Sequence, residues 1–155
     1  MALDRQTEMT PAETDELLGR HETGVLALGG GAAGDPYAIP ISYGFAEGDR
    51  TFYLRLVSTP ESEKRSYLSS SPAARLVVYE EGDGIYRSVV AEGALEAVST
   101  DELTPEDIVQ YGQAKRPLFE IWGVEKPDLD VELYKLDPDE LSGRRIELDE
   151  ELTAE

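Results

Sequence analysis

"PYAIPISYGF", Pro36 to Phe45, alternates bulky residues (Tyr37, Ile39, Ile41, Tyr43, Phe45) with small ones (Ala38, Pro40, Ser42, Gly44). A period of two is the signature of a β-strand, here with one face built for a core and the other kept low. Pro40 brings no N–H to a ladder, so this strand has to carry an edge or a bulge at that point. Working outward, "GVLAL" from Gly24 reads as a short buried strand. "TFYLRLV", "ARLVVYE" and "IYRSVVAEGALEAV" supply three more, and "VELYKL" near the C-terminus is the sixth. Glu47-Gly48-Asp49 and Glu81-Gly82-Asp83-Gly84 are expected to join neighbours as hairpins.

Three helix starts punctuate these strands. Thr10-Pro11-Ala12-Glu13 is a capping box with proline at the first helical position, and Leu17 and Leu18 give the helix an apolar side. Thr59-Pro60-Glu61 and Thr104-Pro105-Glu106-Asp107 repeat the same opening. Six hairpin-linked strands with three short helices suit a mainly β, α+β fold in which an antiparallel sheet closes into a small barrel. Residues 1–148 are expected to form one domain and residues 149–155 an acidic tail.

The composition narrows the function classes. The 155-residue chain has 33 Asp and Glu against 14 Lys and Arg, a net charge of −19. Such a field repels nucleic acid and anionic membranes, whose partners carry Lys and Arg. The sequence contains no apolar run of membrane-spanning length and opens without a basic-then-apolar leader, so a cytoplasmic location is expected. Acid dispersed over a folded pattern, with Arg preferred to Lys, fits a halophilic protein whose self-repulsion is screened by salt. Without cysteine, and with His21 as the single histidine, no metal site is expected.

Most motifs dissolve under the same test. Gly29 to Gly34 satisfies GxGxxG, but a strand pattern follows where a dinucleotide fold needs a helix. No G-x-S-x-G elbow is present, and no catalytic residue can be named. "DLD", "DPDE" and "LDEE" lack the spacing of a calcium loop. What stands out is Thr51–Tyr79, where Arg55, Lys64, Arg65 and Arg75 outnumber Glu61 and Glu63, giving a local charge of +2 in a chain of −19. Ser58, Thr59 and Ser62 surround a helix start inside this segment, and hydroxyls, cations and unpaired helical N–H groups together suit a phosphate monoester.

The order "PYAIPISYGF", "TFYLRLVS", "TPESEKRSYLSSSP", "ARLVVYE" resembles the pyridoxamine 5'-phosphate oxidase-like family of FMN-binding split barrels. The most specific piece is the Ser62-x-Lys64 helix followed by "SSSP". The resemblance implies a six-stranded split barrel of Greek-key type, assembled as a homodimer with FMN at the subunit interface. It implies phosphate contacts from Ser58, Thr59, Ser62 and Lys64, with Arg65 as a further candidate. The flavin ring would lie along Ile39, Pro40, Ile41 and Ser42, with Arg55 and Tyr43 tuning it and Trp122 stacking from the partner. Pyridoxamine phosphate oxidases proper carry Arg where Glu63 stands, and a basic run where "AIPISY" stands. Oxidation of that phosphorylated vitamin is therefore not expected.

The expected activity is that of a flavin-dependent oxidoreductase acting on a small molecule, with NAD(P)H as a reductant to be tested. The alternatives are a flavin store or redox sensor without turnover, and a split barrel holding haem, with His21 as ligand, or a deazaflavin.

Overall fold

The computed structural model describes residues 6–29, 36–46, 48–58, 72–99, 101, 103–105, 108–109 and 130–147. In chain order these form β1 (Gln6–Glu8), α1 (Pro11–Arg20), β2 (Thr23–Leu28), β3 (Tyr37–Ala46), β4 (Thr51–Ser58), β5 (Ala73–Gly82), β6 (Ile85–Val98), β7 (Asp130–Leu136) and β8 (Glu140–Glu147).

The six strands expected from sequence, β2 to β7, close on themselves. β2 pairs with β3, β3 with β4, β4 with β7, β7 with β6, β6 with β5, and β5 with β2, every pair antiparallel. This is the closed, mainly β barrel anticipated above. Two strands that the sequence reading did not supply extend it: β8 pairs with β6, and β1 pairs with β8.

β6 makes this possible by being long enough to change partner. One of its edges pairs with β5 over Ala94 back to Ile85. The other is shared: Ile85–Glu92 pairs with β8, and Leu95–Val98 pairs with β7. Gly93 stands at the changeover, where a Cβ would lie 2.9 Å from the Asp137 carbonyl oxygen and 3.2 Å from Leu136 Cδ1. Any side chain there would collide with the turn that leads from one partner strand to the next. Between β5 and β6, Asp83 (φ 55°) and Gly84 (φ 74°) both take left-handed backbone, as a two-residue hairpin turn requires.

The core is the inner face of these strands. Leu26, Leu28, Phe52, Leu54, Leu76, Val78, Val89, Leu95 and Leu136 are almost wholly excluded from solvent. α1 closes one end of the barrel. Its start is the predicted capping box: the Glu13 N–H donates to Thr10 Oγ1 at 3.2 Å, and the Thr10 N–H to Glu13 Oε1 at 3.3 Å. Leu17 and Leu18 are buried with the barrel core, each worth about 1.5–3 kcal/mol of apolar burial.

Of the other two expected helices, the Thr104-Pro105 opening forms a helical turn, with the Ile108 N–H donating to the Thr104 carbonyl at 3.1 Å. The helix expected after Thr59 lies outside the described residues, as does the acidic tail 149–155. Among the described residues no helix is long and apolar enough to cross a membrane.

Candidate functional site

The strand that carries Pro40 is ordered by where its main chain bonds. The Tyr43 N–H donates to the Glu22 carbonyl at 3.0 Å, and the register continues as Ile41 opposite Gly24, Ile39 opposite Leu26 and Tyr37 opposite Leu28. Bonded pairs in an antiparallel ladder recur every second residue. The odd residues of β3 therefore spend their N–H and C=O groups on β2, and the even ones point theirs toward β4.

β4 accepts that offer for only part of its length. The β3–β4 register runs from Ala46 opposite Thr51 to Tyr43 opposite Leu54. Farther along, Arg55–Ser58 pairs with Leu133–Asp130 of β7, while β3 continues against β2 alone among the described residues. The strands diverge, and Pro40 sits in the divergent part at a position whose N–H would have faced the gap. The expectation of an edge at Pro40 is met by this splay. Along the gap, Ala38 presents an N–H and a carbonyl, and Pro40 a carbonyl only.

Side chains sort by the same parity. Ile41 and Tyr43 are buried in the core and Ile39 packs against it, so the two isoleucines offer the outer surface only their main chain. Ala38 and Pro40 are exposed on the other face, low enough for a flat ring to approach. Ser42 shares that face but is covered. On β4 the inward residues are Phe52, Leu54 and Leu56, which turns Tyr53 and the half-buried Arg55 outward. Tyr53 lies opposite Lys135 of β7, whose Nζ stands 5.5 Å from its ring centroid. The outer surface around the gap thus carries Arg55 and Lys135, two cations in a strongly acidic chain. Lys135 was invisible to sequence reasoning because "VELYKL" reads only as a strand, without saying beside which strand it will lie.

Of the residues expected to hold a phosphate, Ser58 ends β4, with its main chain opposite Asp130. Thr59, Ser62, Lys64, Arg65 and Trp122 lie outside the described residues. Arg75, which contributed to the positive segment, is occupied elsewhere: its Nη2 lies 2.8 Å from Glu92 Oε1 on the outer face of β5 and β6.

Tyr43 belongs to the core. Its hydroxyl donates to the Leu18 carbonyl at 2.7 Å and its ring meets Phe52 edge-on. Burial, with Glu22 nearby, pushes the phenol well above its ordinary value, so it stays a neutral donor to the helix end. His21, the C-cap residue of α1, places Nε2 2.8 Å from Glu80 Oε1. Arg20 donates to the same oxygen at 2.7 Å, and Arg87 approaches Oε2 at 3.3 Å. Burial works against the Glu80 carboxylate, but hydrogen bonds from Arg20 and His21 outweigh it and hold the carboxyl below its ordinary range. This cluster ties α1 to the barrel at the end of β2 where that strand begins. The end at Gly29 is about 20 Å away, at roughly 3.3 Å per residue. Among the described residues no group of three or more His, Cys, Asp or Glu is arranged to hold a metal ion.

Solved structures share this fold at low sequence identity. An FAD-binding protein from Mesorhizobium loti matches with a TM-score of 0.67 at 19% identity, covering 92% of this chain and 98% of its own. The FAD binding protein from Mycobacterium smegmatis gives 0.63 at 16% identity, covering 92% of this chain and 100% of that one. A heme binding protein from the same organism gives 0.58 at 16% identity, covering 87% of this chain and 54% of that one. No curated protein sequence matches the chain. The family model described as pyridoxamine 5'-phosphate oxidase matches residues 10–145, which spans every barrel strand, the helix that closes the barrel and the gap at Pro40. The chain belongs to the pyridoxamine 5'-phosphate oxidase family of split barrels.

Proposed function

We propose that this protein binds FMN in the gap between β3 and β4 and acts as a flavin-dependent oxidoreductase. The observation that carries the reading is the splay at Pro40, which leaves main-chain groups of Ala38 and Pro40 without a strand partner among the described residues, beside an outer face of small residues. An isoalloxazine needs a flat approach and, at its pyrimidine edge, both a donor and an acceptor. The Ala38 N–H and the Ala38 and Pro40 carbonyls supply them, and Ile39, Ile41 and Ser42 complete the same strand.

Ser58 begins the route to the phosphate, which Thr59, Ser62, Lys64 and Arg65 would grip through hydroxyls and charge. Arg55, on the face beside the gap, bears positive charge toward the flavin's reducible edge, and Trp122 stacks on the ring from a second subunit. When bound, the flavin supplies the hydride and electron chemistry, and the protein's part is to position it and control access.

A second copy of the chain fits the apolar outer face beside β3, where Val25 and Tyr79 are 37% and 68% exposed. FAD-binding relatives of the same fold support a flavin. The heme binding relative keeps haem as the second reading. Against it, His21 commits Nε2 to Glu80 at the far end of β2.

The test is a titration with FMN followed by quenching of its fluorescence, with an absorption spectrum of the protein as isolated. Binding with a flavin spectrum supports the reading, and a Soret band or no quenching overturns it. Lys64→Ala should weaken FMN by roughly 10 to 150-fold, the equivalent of about 1.5–3 kcal/mol for one charge-assisted contact. Turnover separates an oxidoreductase from a flavin store: anaerobic mixing with NAD(P)H should bleach the bound flavin at a catalytic rate.

A further inference from the structure

One row of residues crosses the outer face from the flavin strand: Ala38 stands opposite Ala27, Ala27 opposite Arg75, Arg75 opposite Glu92, and Glu92 opposite Glu140. Beside it lies a cavity of about 700 Å³, within the range of roughly 300–1,000 Å³ that small-molecule sites occupy. Ala27, Gly29, Pro36 and Ala73 line it together with Gly93. Leu28 also borders it but is buried in the core; the other apolar lining side chains are no larger than a proline ring, so the volume comes from side chains that stop short. Its polar groups gather at the rim: Arg75, Glu92, Asp139 and Glu140.

The charges at that rim do not cancel. Arg75 is neutralised by Glu92 at 2.8 Å, while Asp139 and Glu140 pair with no cation among the described residues. The Asp139 N–H is fixed by the Glu92 carbonyl at 2.8 Å, which holds the start of β8 over the cavity. An anionic guest would meet two carboxylates that no described cation compensates, whereas an apolar guest that is neutral or positive would not be repelled.

We infer that this cavity is the organic-substrate pocket beside the flavin seat, and that it takes an apolar ring-bearing molecule, neutral or cationic, and rejects phosphorylated ones. The inference rests on the flavin reading for its role as a substrate pocket. The cavity's preference for charge can be measured independently of that reading.

The experiment uses the full-length protein in its native oligomeric state, with and without FMN, and three probes that share a phenyl ring: benzyltrimethylammonium, benzyl alcohol and phenyl phosphate. Binding is followed by calorimetry. A carboxylate about 6 Å from a cation, at an effective dielectric constant of about 40, is worth about tenfold in affinity. Benzyltrimethylammonium should therefore bind about tenfold or more tightly than benzyl alcohol, with phenyl phosphate weakest. Asp139→Asn with Glu140→Gln should collapse that preference, since neither change removes the main-chain bond to Glu92. Ala73→Trp, which fills the cavity from an exposed position, should abolish binding of all three.

The inference is overturned if phenyl phosphate binds best, if the cation ignores both sets of substitutions, or if no probe binds. It is also overturned if Ala73→Trp instead breaks the native oligomer, because the space would then be filled by a second copy. FMN quenching, measured on the same samples, keeps this outcome separate from failure of the flavin reading.

Discussion

Replacing Gly93 with alanine tests how the barrel is closed. The new methyl would lie 2.9 Å from the Asp137 carbonyl oxygen, 3.2 Å from Leu136 Cδ1 and 3.3 Å from Pro138 Cα. Two of those atoms are backbone, in the segment that connects β7 to β8, so relief requires moving a turn that two strands depend on. Overpacking of this kind costs about 1–3 kcal/mol. Removing glycine from a strand returns about 0.5–1 kcal/mol by restricting the unfolded chain. The net expectation is a loss of up to about 2.5 kcal/mol, or up to about 10 °C in melting temperature for a domain of this size, and a deficit of about 1–3 kcal/mol against a glycine replacement that meets nothing. The control is Gly82→Ala at the end of β5, where a Cβ meets nothing within 4 Å, and the same entropic gain stands alone. Urea unfolding of both variants, analysed at common slope, gives the difference. If Gly93→Ala proves as stable as Gly82→Ala, the account of β6 exchanging partners at Gly93 is wrong.

Tyr43→Phe should destabilise the protein by about 1–2 kcal/mol, because the Leu18 carbonyl loses its buried donor, and should leave FMN affinity unchanged; a large fall in affinity would return Tyr43 to the site. The depressed Glu80 carboxyl contributes stability that is complete above its unfolded-state value, about 4.3, and is lost as pH falls through the lower folded value. Glu80→Gln should accordingly be less stable than the parent at neutral pH and approach it under acid. Parallel stability profiles would refute the linkage. Val25→Asp, on the exposed outer face, should yield monomers by sedimentation and weaken FMN together with dimerisation. Raising KCl from about 0.1 to 1 M shortens the screening length from about 10 to 3 Å and should raise the melting temperature of a chain with net charge −19; a fall would contradict the halophilic reading.

The barrel was legible because its six strands carry their own hydrophobic pattern. Phe52, Leu54 and Leu56 take the core face of β4, while Tyr53 and the half-buried Arg55 between them turn to the other face, as the alternation in sequence implies. β1 and β8 were not legible, for a physical reason. "QTE" and "ELSGRRIE" contain few large apolar residues, and what holds them is ladder pairing, β8 to β6 and β1 to β8, and contact with the helix. Gly143 shows the latter: a Cβ there would meet Thr14 Oγ1 at 2.8 Å and Met9 at 3.1 Å. The site divides in the same way. A proline inside an alternating strand marks a broken ladder in any sequence, so the region around Pro40 could be found. The cavity at Ala27 and Ala73 could not, since alanine and glycine announce absence of bulk without saying which strands will enclose the space. Arg75 illustrates the converse error: counted as part of a positive segment, it is neutralised by Glu92 across the β5–β6 pair, because charge summed along a chain ignores which face of a strand each residue takes.

Pro40 also bears on how the protein avoids a wrong structure. Two neighbouring strands of this length, given an N–H at that position, would gain about 0.5–1.5 kcal/mol for each further bond made by zipping together, and the gap would heal into ordinary sheet. Beyond Tyr43 opposite Leu54 the ladder would run through Ser42 and then Pro40, and the missing hydrogen removes the second of those steps. An empty barrel thus has less incentive to seal its own opening, and the flavin proposed to bind there would not first have to unfasten a ladder. Pro40→Ala would restore the choice, turning a permanently parted seam into one that guest and strand compete to close.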